Sequence, residues 1–110
     1  MRSKHTWSRS ASEAAQILGL EVARARRERR WTAAELAERA GITAVTLRKV
    51  ERGDPTVSLG TVFEVATLVG VRLFGVERSA LADLVERGRD RLALLPASVR
   101  ERAGSIHDDF

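Results

Sequence analysis

Cysteine is absent from the 110 residues, which excludes disulfides and thiolate metal sites and fits a reducing cytoplasm. Only two prolines occur, and the alternating β-branched and aromatic stretches that mark strands are scarce. Ala, Leu, Glu and Arg dominate instead, so the chain is expected to be all-α. No run approaches the ~18 apolar residues of a membrane span, and Met1 to Ser10 hold no apolar stretch of signal-peptide length. The expectation is a cytoplasmic protein with no membrane partner. Catalytic constellations are missing too. There is no Gly-rich phosphate loop, no hydroxyl has a neighbouring base, and Glu35 and Glu38 read as a helix cap and a surface carboxylate. His5 and His107 lie near the two ends, away from any acidic cluster of ligand spacing, so neither metal nor cofactor is expected.

What is present is unevenly spread. Residues 1–53 carry 12 Lys and Arg against 6 Asp and Glu, whereas residues 54–110 carry 7 against 9. A basic first half joined to a slightly acidic second half suits a phosphate-facing part coupled to a protein-facing part.

Helix signals recur along the chain. Ser10-Ala-Ser-Glu13 has capping-box spacing and predicts the start of a first helix, whose apolar stripe runs through Ala14, Leu18, Val22 and Ala25 into a polar run from Arg26 to Arg30. After Trp31, expected in the core, Thr32-Ala-Ala-Glu35 forms a second capping box for a helix over about Ala33 to Arg39, burying Leu36, Ala37 and Ala40. Gly41 supplies a left-handed turn into Ile42, and Thr43 caps a third helix over about Ala44 to Arg52, inward through Leu47 and Val50. Gly53 and Pro55 stop it. A fourth helix, Ser58 to Val69, is apolar nearly all round and so expected to be buried on most sides. Ser79 caps a fifth, ending near Leu95 before Pro96. Its residues Leu81, Val85, Gly88, Leu92 and Leu95 form a heptad seam, which either packs within the chain on helices 1 and 4 or makes a two-fold dimer contact.

Two short helices joined by a tight glycine turn can hold the second helix proud of a domain and place it in a DNA major groove. With Leu47 and Val50 inward, that helix is left presenting Ala44, Val45, Thr46, Arg48 and Lys49. Arg and Lys suit guanine acceptors, and the methyls of Ala44 and Val45 suit thymine methyls.

The stretch from Thr32 to Gly53 closely resembles the Cro/CI-type (XRE) helix-turn-helix family of repressors, and the likeness covers roughly Leu18 to Phe74. Its carriers are Leu-Ala, Ala-Gly-Ile-Thr, Leu, Val-Glu-Arg-Gly and the apolar fourth helix. The resemblance implies a lambda-repressor-like bundle of about five helices with an extra C-terminal helix, binding double-stranded DNA as a homodimer. By it, Ala44, Val45, Arg48 and Lys49 read bases, while Thr32, Thr43, Thr46, Arg52 and Thr56 approach phosphates. The same likeness pairs Arg26 with Glu51. Where the family commonly has a phosphate-clamping Gln at the first position of helix 2, this chain has Ala33. A narrower likeness, carried by residues 47–57 and 59–71, is to HipB-like antitoxins, which repress their own operon and bind a HipA-type kinase toxin. The competing reading is an adaptor or toxin-neutralising module with DNA binding secondary or lost.

The expected organisation is an N-terminal arm (1–10), a helix-turn-helix domain (11–75), a C-terminal dimerisation helix (76–96, seam Leu81, Val85, Leu92, Leu95) and a tail (97–110). Arg2, Lys4 and Arg9 of the arm either enter a minor groove or stay disordered, and Trp7 is a candidate partner contact. Of the run Arg24, Arg26, Arg27, Arg29 and Arg30, one or two members are expected to touch phosphate and the rest to line a solvated helix face.

Overall fold

The computed structural model describes residues 6–99. Five helices follow in order, α1 (Arg9–Glu28), α2 (Ala33–Ala40), α3 (Ala44–Arg52), α4 (Leu59–Leu68) and α5 (Leu81–Ala93), with 3-10 turns at Leu73–Gly75 and Arg78–Ala80. No strand occurs among the described residues. The fold is thus all-helical, as composition and periodicity imply. His5, Arg2, Lys4, His107 and the acidic Asp108-Asp-Phe110 end lie outside the described residues. The chain divides into two compact units, Met1–Arg78 and Ser79–Phe110.

Within the first unit, local chemistry sets nearly every boundary. The Thr32 hydroxyl accepts from the Glu35 amide at 3.0 Å and the Glu35 carboxylate accepts from the Thr32 amide at 2.7 Å, completing the capping box of α2. Gly41 closes α2 at φ 72°, and the Ile42 amide donates back to the Ala37 carbonyl at 3.0 Å. Thr43 caps α3 through the Thr46 amide, and Ser58 caps α4 through the Thr61 amide. Gly53, at φ 76°, ends α3.

Three expectations are corrected. The first helix begins at Arg9, capped by Ser8 and not by Ser10, because Ser8 keeps an extended backbone (ψ 160°) and aims its hydroxyl at the Ala11 amide, 3.1 Å away. Arg9 and Ser10, placed in the arm by sequence, therefore form the first helical turn. The fifth helix starts at Leu81, with Ser79 inside the preceding 3-10 turn and no side-chain cap, and it ends at Ala93, short of Leu95. Ala14, read as inward, is exposed, because it is Ala15 and Leu18 that turn toward the body of the unit at this end of α1.

The core comprises Val22 from α1, Leu36 and Ala37 from α2, Leu47 and Val50 from α3, Val65, Ala66 and Val69 from the α4 region, and Leu73. All are aliphatic, and no polar side chain is buried among the described residues. α4 buries one stripe only. Leu59 at its start is open to solvent, while Phe63 packs edge-to-face on Phe74 with ring centres 6.0 Å apart.

Close approach of α1 to α3 depends on two glycines. A Cβ on Gly19 would stand 2.5 Å from the Val50 carbonyl oxygen and 2.7 Å from that of Glu51. One on Gly53 would stand 2.5 Å from the Gln16 Cα. The two backbones touch, so α1 acts as the rigid spine against which α3 is held.

The second unit is built differently. No residue of α5 is buried, and its described ion pairs, Arg87 with Asp83 and Arg89 with Glu86, are solvent-exposed.

Candidate nucleic-acid interface

α3 is amphipathic by construction. Leu47 and Val50 are buried beneath it, whereas Val45 and Arg48 are exposed and Ala44, Thr46 and Lys49 are half-buried on the opposite side. The helix thereby carries methyl groups at its N-terminal tip and two cations one turn further on, a surface able to meet thymine methyls and guanine acceptors.

Around this face lie the hydroxyls named from sequence, and they differ in what they have left to give. The Thr43 hydroxyl donates to the Thr46 oxygen at 3.1 Å, leaving the Thr46 proton for an outside acceptor. The Thr32 hydroxyl is engaged as acceptor by its cap, so its proton is also available. Thr56 is otherwise committed, because both its amide (2.9 Å) and its hydroxyl (2.7 Å) donate to the Asp54 carboxylate. Those two bonds, with Lys49 and Arg52 nearby, hold the Asp54 carboxyl below the ordinary aspartate range. Arg52 is exposed at the end of α3.

A bidentate ion pair ties α3 to α1. The Arg26 Nε donates to the Glu51 Oε2 at 2.7 Å and its Nη2 to the Oε1 at 3.0 Å, while its Nη1 donates to the Trp31 carbonyl at 3.0 Å. Both side chains are largely shielded, at 12% and 14% exposure. The hydrogen bonds to Glu51 raise the Arg26 pKa further, against the opposing effect of burial. One guanidinium thus ties the last turn of α1, the turn into α2 and the C-terminal end of α3.

Trp31, expected in the core, is half-buried and packs against two cations. The Arg39 guanidinium carbon lies 4.2 Å from its ring centre and that of Arg29 5.5 Å, with the Arg29 Nε also donating to the Val69 carbonyl at 3.0 Å. Sequence reasoning missed this stack, and missed Gly19 as a contact residue. The arginine run carries no local mark of which member meets which partner.

In the second unit, Leu81 is half-buried and Val85, Leu92 and Leu95 are exposed. Leu95 falls just beyond the helix. Trp7 is exposed and makes an interaction of its own within the structure. Among the described residues no group of His, Cys, Asp or Glu has the arrangement to hold a metal ion, and no helix is long and apolar enough to cross a membrane.

A capped helix, a left-handed glycine turn, and a second capped helix held outward by a buried apolar pair and a bidentate brace define a helix-turn-helix module, the architecture of proteins that read the DNA major groove. The family model described as helix-turn-helix matches residues 22–76, half of the chain. The chain belongs to that family, the XRE or Cro/CI type of helix-turn-helix, a family of DNA-binding transcription-regulatory domains. No curated protein and no solved structure matches it.

Proposed function

We propose that the protein is a homodimeric transcriptional repressor that places α3 of each copy in successive major grooves of a palindromic site. The observation that carries this is the two-sided character of α3. Its inner side is anchored by Leu47, Val50 and the Arg26–Glu51 brace, and its outer side offers Ala44, Val45, Arg48 and Lys49. Thr32, Thr43, Thr46 and Arg52 supply phosphate contacts from the rim. Thr56 contributes through the loop conformation it holds with Asp54 and not through a free hydroxyl proton. With residues 11–75 as the reading domain, α5 and its flanks (76–96) form the dimer contact through Leu81, Val85, Leu92 and Leu95. One reading helix buries too little for useful affinity alone, and a two-fold pair sets half-sites about 34 Å apart.

Titration of the chain's own promoter at several salt concentrations tests this. Affinity should fall with a log–log slope of roughly −0.9 per phosphate neutralised. Arg48→Ala and Lys49→Ala should each reduce discrimination between promoter and unrelated duplex, by about 1–3 kcal/mol for every bidentate base pairing removed. Unchanged discrimination in both variants sinks the assignment of the reading face.

A second reading, the antitoxin partner of a HipA-type kinase, draws on the exposed leucines of the second unit, which suit a protein partner as well as a second copy. Co-purification separates the two, since a stoichiometric kinase-like protein supports the antitoxin, whereas a lone homodimer with tight promoter binding supports the stand-alone repressor.

A further inference from the structure

We propose that Arg27 of α1 is a phosphate anchor, clamping one DNA strand in the groove between α1 and α3. The inference rests on the DNA-reading assignment of α3 and extends it to a helix outside the helix-turn-helix itself.

The five arginines of the run are equivalent in sequence but not in space. Arg24 is paired with Glu28, Arg26 with Glu51, and Arg29 is held by the Val69 carbonyl and the Trp31 ring. The side chains of Arg27 and Arg30 have no hydrogen bond or ion pair within the described residues. Of these two only Arg27 faces an open groove of about 720 Å³, floored by Leu20 and Ala23, with Arg24 beside it and Arg48 and Arg52 on the opposite wall. The Arg48 side chain likewise has no hydrogen bond or ion pair within the described residues, and Arg52 lies near the Asp54 carboxylate. The two carboxylates at the groove, Glu28 and Glu51, are each neutralised by a bound guanidinium. The groove is therefore net cationic, lined by four solvent-exposed arginines of which Arg27, Arg48 and Arg52 are not paired with a groove carboxylate.

Phosphodiester is the ligand this arrangement fits. Leu20 and Ala23 offer no hydrogen bond to a small polar molecule, while guanidinium forks match phosphate oxygens in geometry and charge. A helix lying in a major groove about 12 Å wide has a strand of phosphates along each flank. The α2 flank of α3 begins at Ala33, which has no side-chain donor. The α1 flank is this groove, and Arg48 belongs both to it and to the outer face of α3. A duplex read by α3 thus brings one strand past Arg27, and the anchor missing at Ala33 is supplied from the other side.

The test compares Arg27→Gln with Arg30→Gln in the full chain, on promoter and on a mixed-sequence duplex, with thermal melting to check folding. Arg27→Gln should reduce the salt slope by about 1 on both duplexes, so that affinity changes about 3.5-fold less between 50 and 200 mM salt. Arg30→Gln should leave the slope unchanged. An unchanged slope in Arg27→Gln, including the case in which the groove takes an acidic protein segment instead, overturns the proposal. So does an equal drop in Arg30→Gln, which assigns the effect to the run's overall charge. Loss of discrimination in Arg48→Ala with no effect of Arg27→Gln removes the anchor while leaving the reading helix in place, whereas a wild-type chain with no salt-dependent duplex binding removes both.

Discussion

The two units of the chain solve the problem of holding a helix in opposite ways. In the first, α3 is fixed by buried aliphatic side chains, by a shielded bidentate ion pair, by glycine-permitted backbone contact with α1 and by caps at both ends. In the second, α5 has no buried residue, no side-chain cap and only exposed ion pairs, which typically contribute about 0–1 kcal/mol each. Yet α5 carries apolar residues at heptad spacing. Rigid presentation is built into the first unit, whereas the apolar face of α5 is left open, as the proposed dimer contact requires.

The largest expected effect tests that contrast directly. Leu36→Ala removes a side chain with no solvent exposure from the centre of the first unit and should cost about 3 kcal/mol in urea unfolding. Leu92→Ala, at a position 69% exposed, should cost no more than about 0.5 kcal/mol at protein concentrations low enough for a lone chain. Equal costs at high dilution would break the comparison. A cost for Leu92→Ala that grows with concentration would sharpen it, since only association links stability to concentration.

Gly19→Ala comes next, at about 2 kcal/mol in the same assay. The added methyl meets two backbone carbonyl oxygens, which cannot swing aside as a side-chain end could, so α1 must move off α3. Gly88→Ala in α5 meets nothing within 4 Å and should instead stabilise its helix, by about 0.5–1 kcal/mol. If both substitutions behaved alike, the close packing of α1 on α3 would have no energetic meaning.

Legibility in the sequence follows the same division between local and long-range causes. The α2-turn-α3 core could be read because each boundary has a single-position signal, namely Thr32 with Glu35, Gly41, Thr43 and Gly53, and because the inward residues of α3 follow from helical period alone. The start of α1 could not, since Ser8, Ser10 and Ser12 all have capping chemistry and only the backbone path selects Ser8. Gly19 carries no local signal either, as the atoms that demand it are some thirty residues away, on α3. For the candidate interface, the outer face of α3 was legible by subtraction of Leu47 and Val50. That Thr56 spends its hydroxyl proton on Asp54, and that Arg27 alone of its run lines the α1–α3 groove without a partner, depend on tertiary placement.

A smaller effect concerns Arg30, which sits at φ 62° just past the end of α1, a left-handed conformation costly for a residue with a Cβ. Arg30→Gly relieves that strain but frees the unfolded chain, so a net gain of about 0.5 kcal/mol is expected, or about 2–4 °C in Tm. A loss of stability would mean that the Arg30 side chain contributes packing of its own to the first unit.

The smallest effect is the pH dependence of the loop after α3. Because hydrogen bonds from Thr56 depress the Asp54 pKa in the folded chain, the carboxylate form is favoured by folding. Its contribution is complete above the unfolded aspartate value of about 3.9 and is lost as pH falls through the lower folded value. Asp54→Asn should therefore be less stable than the parent chain at neutral pH, with the difference shrinking only below about pH 4. The exposed site keeps the difference small, so the direct measurement is the Asp54 carboxyl resonance followed by NMR, with a midpoint expected below that of a free aspartate. Thr56→Val, which removes the hydroxyl donor and keeps the amide, should bring the midpoint part of the way back. A midpoint unmoved by Thr56→Val would show that the hydroxyl contributes nothing and that the Thr56 amide, with Lys49 and Arg52, holds this charge at the end of α3.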